Sequence, residues 1–194
     1  MDKKLRVGFD FDGVIAYNPL RFMRLPVSLL GQLFGKRDKV ITYCPKTKVE
    51  EIFWIILHET SFFPALGFHK LKEMLKKEKI EGYLLTSRYS CLENSFYRWL
   101  KKHEIDKSFK GYFLNKNNEK PHIFKEKILR KLQLDYYIDD NLGIVEHLDY
   151  KSRDKKNGFA TEIHWIYNFL ERNNSYPKKH PHLRKFLEYI NNKN

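Results

Sequence analysis

Residues 5–16 read LRVGFDFDGVIA, and the fold of the whole chain turns on how that stretch is understood. Leu5, Val7 and Phe9 make an apolar run of strand length that meets Asp10, Phe11, Asp12 and Gly13, a boundary that predicts a buried strand closed by glycine. Such a strand delivers Asp10 to its C-terminal end, the edge at which open α/β sheets hold their ligands. Two acids two residues apart point to one side of an extended backbone, so Asp10 and Asp12 can share a cation or divide acid and nucleophile roles. Gly13 lets the chain leave the strand sharply and lets backbone approach a ligand closely. Asp-x-Asp-Gly also occurs in ordinary turns and in calcium loops, but a calcium loop follows a helix and continues with oxygen ligands to a late glutamate. Here Val14, Ile15 and Ala16 come next instead.

Working outward, three further stretches have strand character: Gly82 to Arg88, Phe109 to Leu114, and Asp135 to Ile138, the last running into Asp139-Asp140-Asn141. Helical spacing of apolar residues lies between them, over 66–79, 92–103 and 123–132. Alternation of this kind predicts an α/β, Rossmann-like parallel sheet covered by helices on both faces. Residues 17–64 differ in character, with Pro19 and Pro26 early, an apolar stretch at 27–34, a charged loop at 35–48 and helical spacing through 48–58. They are expected to form a small helical cap inserted after the first strand, leaving 1–16 and 65–194 as the core domain. Beyond Asp149 the pattern offers a charged loop at 151–157, a strand at 158–165 or the lead into a helix over 166–170, a linker at 173–181, and a terminal helix at 182–190.

At 194 residues the chain suits one such domain with an insert. A hydrophobic share of 42% and an aromatic share of 15% exclude a disordered chain. No apolar run approaches bilayer length, and MDKKLRVGF lacks the pattern of a signal peptide, so a soluble cytoplasmic protein with no membrane partner is expected. Cys44 and Cys91 have no metal-ligand spacing and are expected to stay reduced. The formal charge is +13, from 37 Lys plus Arg against 24 Asp plus Glu, which fits either a nucleic-acid partner or a lysine-biased solvated surface. The basic residues are scattered in short pairs such as Lys76-Lys77 and Lys155-Lys156, which favours the surface reading. Phosphorylated substrates are attracted in both cases.

Three strands thus end in polar groups: Asp10 and Asp12, Thr86 and Ser87, Asp139 and Asp140. Parallel strands bring these to one edge, with a basic helix containing Lys125 just ahead of the last pair. Carboxylates for a hard cation, a hydroxyl and a lysine together describe a site for a metal-bound phosphoryl group. At this point the sequence resembles the phosphohydrolases of the haloacid dehalogenase superfamily, whose four short motifs match Asp10 to Val14, Tyr83 to Thr86, Lys125 and Ile138 to Asp140 in order. The LLTSR and YIDDN stretches are most similar to nucleotidase-like members.

The resemblance implies Asp10 as nucleophile and Asp12 as general acid and base, and a phosphate cradle of Thr86, Ser87, Lys125, Phe11 and Gly13. It implies Mg2+ held by Asp10, the Asp12 carbonyl and Asp140, with Asp139 orienting groups behind them. For Ser87 and Arg88 a substrate contact and a surface role are both open. The function implied is hydrolysis of a small phosphomonoester, a nucleotide among the candidates, through an aspartyl-phosphate. The alternatives are a phosphatase of nucleic-acid ends and a non-catalytic phosphate-binding or scaffold protein. Relatives often carry a further acid soon after the fourth motif, where this chain has Asn141, Leu142, Gly143 and Ile144. An outer metal contact is therefore left open.

Overall fold

The structure is a computed structural model and describes residues 4–17, 48, 52, 63–154 and 158–193. The expected helical insert at 17–64 lies almost wholly outside the described residues. Its base is seen: Ala16–Tyr17 (β2) pairs antiparallel with Phe63–Pro64 (β3), Ala16 opposite Pro64 and Tyr17 opposite Phe63.

The first strand, Leu5–Asp10 (β1), ends where the sequence places its first acid. Later in the chain come Ile80–Tyr89 (β4), Gly111–Asn115 (β5), Tyr136–Asp139 (β6) and Glu162–Ile166 (β7), and Lys179–His180 (β8) closes the sheet. The order is β5-β4-β1-β6-β7-β8, and every neighbouring pair is parallel. From β1 the chain builds outward through β4 and β5, then crosses to the other side of β1 for β6, β7 and β8. That reversal opens a crevice beyond the C-terminal ends of the central strands, where sheets of this kind bind ligands.

Parallel strands buried on both faces read as near-continuous apolar runs, which is why β1 and β4 are conspicuous in the sequence. On one face Phe9, Leu84 and Ile138 pack under the helices Phe68–Lys76 (α1), Glu93–Lys102 (α2) and Leu183–Asn191 (α5). On the other, Leu85, Tyr137, Ile163 and Trp165 pack under Pro121–Leu132 (α3) and Leu142–Ser152 (α4). The terminal helix buries Leu183, Phe186, Leu187 and Ile190, the stripe its 3.6-residue spacing predicts.

In the C-terminal third one helix is missed, the expected strand is present, and two readings are corrected. Helix α4 is not anticipated from the sequence, because its buried residues Ile144, Val145 and Leu148 make a short stripe beside Gly143; the signal for it is Asn141, whose side chain accepts from the Ile144 N–H as an N-cap. Residues 162–166 are a strand, and beyond it the chain makes a single 3-10 turn, Phe169–Glu171, whose Phe169 and Leu170 are exposed and cannot anchor a helix. The linker expected at 173–181 contains β8, which pairs Ile166 with His180 at the sheet edge.

Candidate active site

The central strands β4, β1 and β6 lie side by side and deliver Thr86, Asp10 and Asp139 to one edge. Among the described residues, the buried side chains of full charge are Asp10, Asp12, Asp139, Asp140, Arg88 and Lys125, and all of them meet here. Four carboxylates against two cations leave the site short of positive charge, and a ligand oxygen of each of Asp10, Asp139 and Asp140 lies within 4.8 Å of the others. Hard oxygen donors at this spacing suit a hard divalent cation.

Lys125 is almost fully buried and is held at 2.6 Å from Asp139 Oδ2 and 3.0 Å from Asp10 Oδ1. Its position comes from α3, which starts on Pro121 at its first turn. The loop before it is locked by Asn115, whose Oδ1 accepts from the Glu119 N–H and whose Nδ2 donates to Glu119 O. Burial opposes the charge of Lys125, but Asp10 and Asp139 outweigh it and push the ammonium above its ordinary range. Asp10 is driven well above the usual carboxylate range, first by burial, then by Asp139, Asp140 and Asp12, with Lys125 acting against them. A divalent cation would reverse that crowding.

Asp139 is engaged at both oxygens. Oδ2 accepts from Lys125 Nζ and from Tyr137 Oη at 2.8 Å, and Oδ1 accepts from the Asn141 N–H at 2.9 Å. These bonds hold Lys125 beside Asp10. Tyr137, two residues earlier on the same face, is a site residue that sequence reasoning missed; the alternation of β6 is the signal for it. Gly8, its neighbour across β1 and β6, makes room for that ring, since a Cβ there would lie 2.9 Å from Tyr137 Cδ2.

Asp140 lies on the turn into α4, and its carbonyl accepts from Trp165 Nε1 at 3.2 Å. Gly13 faces it. The glycine has φ +85°, and a Cβ on it would fall 2.3 Å from Asp140 Oδ2. The first motif needs glycine because the fourth motif's carboxylate occupies the space of a side chain. The Gly13 N–H donates to Ala16 O at 2.7 Å, which closes the turn after the strand. Phe11 has its side chain in the core, edge-on to Phe96 and Trp99 with ring centroids 5.0 Å apart, so only its backbone can face a ligand.

β1 ends at Asp10, so Asp12 reaches the site from the turn after the strand and not by strand alternation. Arg88, left open between two roles, meets it there: Nε donates to Oδ2 and Nη2 to Oδ1, each at 2.8 Å. Thr86 is buried and its Oγ1 accepts from the Arg88 N–H at 3.2 Å, which leaves its own hydroxyl proton to donate. Ser87 Oγ is buried with no hydrogen-bond partner among the described residues.

No protein-family model matches the sequence, and no curated protein sequence is significantly similar to it. Solved structures do match. The haloacid dehalogenase-like family hydrolase from Streptococcus pneumoniae has a TM-score of 0.60 at 13% identity, over 98% of this chain and 100% of that one. The HAD-hydrolase YfnB from Bacillus subtilis, whose structure is bound to magnesium, has a TM-score of 0.59 at 14% identity, over 97% of this chain and 100% of that one. A HAD-superfamily hydrolase from Ehrlichia chaffeensis has a TM-score of 0.55 at 11% identity, over 99% of this chain and 98% of that one. At such identities the likeness is one of fold, and the fold of this chain is the parallel α/β fold of the haloacid dehalogenase-type hydrolases.

Proposed function

We propose that the protein is a magnesium-dependent phosphatase that hydrolyses a small phosphomonoester, with nucleotides as the first candidates, through an aspartyl-phosphate on Asp10. The observation that carries this reading is Lys125, a buried ammonium set between Asp10 and Asp139 at the edge where Thr86 also arrives. Phosphate esters repel nucleophiles, so a phosphoryl site must gather cations around an otherwise ordinary carboxylate.

Asp10 and Asp140, with the Asp12 carbonyl, would hold the ion, whose chemistry is to neutralise phosphoryl charge and fix in-line geometry. Lys125 and the Thr86 hydroxyl contact phosphoryl oxygens, and the orphaned Ser87 Oγ takes another. Asp10 forms a bond to phosphorus as the bond to the leaving oxygen breaks, and Asp12 gives that oxygen its proton. Asp12 then takes a proton from water, which attacks the aspartyl-phosphate, and the Asp10 carboxylate is restored with release of phosphate.

A panel of p-nitrophenyl phosphate, nucleoside monophosphates and sugar phosphates, run with magnesium and with chelator, tests this. Release that needs magnesium and falls more than about a thousandfold in Asp10→Asn is expected for loss of a covalent nucleophile. Undiminished release by Asp10→Asn, or none by the wild type, would sink the proposal. A second reading, a phosphatase of nucleic-acid ends, is supported by the formal charge of +13.

A further inference from the structure

We infer that Arg88 is a positioning residue that aims Asp12 at the leaving-group oxygen, so that the site serves phosphomonoesters whose leaving group is an unactivated alkoxide. This rests on the function proposed above and narrows its substrate class.

Asp12 sits on a turn, held by one isolated bridge to Ala16, so the strand ladder does not fix the direction of its side chain. Arg88 does. Its fork lies side-on to the carboxylate through Nε to Oδ2 and Nη2 to Oδ1, both 2.8 Å. Paired parallel bonds of this kind set the plane of the carboxylate and hence the direction of its lone pairs.

Arg88 is itself fixed from several sides, with 4% of its surface exposed. Nη1 donates to Ser95 Oγ at 3.1 Å, the guanidinium carbon lies 4.6 Å from the centroid of the Phe11 ring, and the backbone N–H donates to Thr86 Oγ1. Three of its N–H groups are thus placed, two on Asp12 and one on Ser95, which directs the guanidinium at the acid.

In the bond-breaking step the proton moves from one Asp12 oxygen to the leaving oxygen, which keeps the electron pair of the broken P–O bond. Arg88 retains its bond to the other Asp12 oxygen throughout. A p-nitrophenolate departs without that proton, whereas the alkoxide of a sugar or nucleoside needs it. An acid held in one direction by a buried fork therefore matters only for the second kind.

The test compares p-nitrophenyl phosphate with a nucleoside monophosphate in wild type, Arg88→Met, Arg88→Lys, Asp12→Asn and the Asp12→Asn/Arg88→Met double variant. General acid catalysis contributes about a hundredfold or more, so Arg88→Met is expected to lose about that factor in kcat on the nucleotide and under about tenfold on p-nitrophenyl phosphate. The double variant should be no worse on the nucleotide than Asp12→Asn alone, and added guanidinium should restore part of the loss. Removing a buried partner can cost the fold; if Arg88→Met is unfolded by its melting curve, Arg88→Lys, which keeps the charge but not the fork, is read for the same ratio. Equal losses on the two substrates, or a loss confined to KM, overturn the inference while leaving the phosphatase reading standing. A wild type inactive on both substrates removes the two together.

Discussion

At the scale of single residues, the tightest constraint joins Gly13 to Asp140. Alanine at position 13 meets both a positive φ, which costs an L-residue about 1–2 kcal/mol, and the Asp140 carboxylate 2.3 Å from the new Cβ. Gly13→Ala is expected to lower the melting temperature modestly and to weaken magnesium activation by more than about tenfold, since 1.4 kcal/mol is already that factor. A magnesium titration of activity reads it, and an unchanged half-saturation would contradict it. Gly13 and its acids were legible in the sequence because they lie together in one short stretch. Tyr137 and the partner of Arg88 were not, because a hydrogen bond to Asp139 or Asp12 is decided by which atoms converge across β1, β4 and β6. Lys125 was singled out among close neighbours Lys120 and Lys127 only through the resemblance, and its burial comes from the packing of α3.

Among the secondary-structure elements, β7, β8 and α5 carry a second buried polar group. His164 Nδ1 and His180 Nε2 are 2.9 Å apart, with Phe186 and Tyr189 of α5 packed over both rings. His164 Nε2 also lies 2.9 Å from Glu162 Oε1, though not aligned as a hydrogen bond. Burial, then His180 and Lys178, pushes His164 down to about 3, and burial, then His182, pushes His180 down to about 4. Histidines kept neutral in the fold bind their protons more readily when unfolded. The stability they contribute is therefore full above about pH 6.5, the unperturbed value, and is lost as pH falls toward 4. The slope is at most about 1.4 kcal/mol per pH unit for each ring. Melting temperatures measured from pH 7 to pH 4 should show this, and His180→Gln should flatten the curve. This edge was illegible beforehand, because a two-residue strand leaves no periodicity to find and its pairing with Ile166 is made only in three dimensions.

For the molecule as a whole, charge is divided sharply. Among the described residues the buried full charges are those of the acid-rich site, which carries more acids than bases, so the positive excess of the chain comes from residues outside it. Many surface lysines are paired with acids, as in Lys4 with Glu78, Lys72 with Glu104 and Lys116 with Glu93, and exposed pairs of this sort contribute little to stability. If the proposed leaving group is the end of a nucleic acid, oligonucleotide binding should weaken steeply with salt, with a slope near about −0.7 per phosphate neutralised on a single strand. A flat salt dependence in a titration from low to moderate ionic strength would reduce the charge to solvation alone. Composition and strand alternation were enough to read the parallel sheet, whereas the distribution of the charge depends on which side chains the fold buries.

The short ladder of β2 and β3 gives the architecture a further property. Because Ala16–Tyr17 and Phe63–Pro64 are hydrogen-bonded to each other, and the Ala65 N–H donates to Ile15 O at 2.8 Å, segment 18–62 leaves and re-enters the sheet domain at a single doorway. Asp10 and Asp12 stand just ahead of that doorway, so the ladder clamps the chain at the point where it turns away from the site.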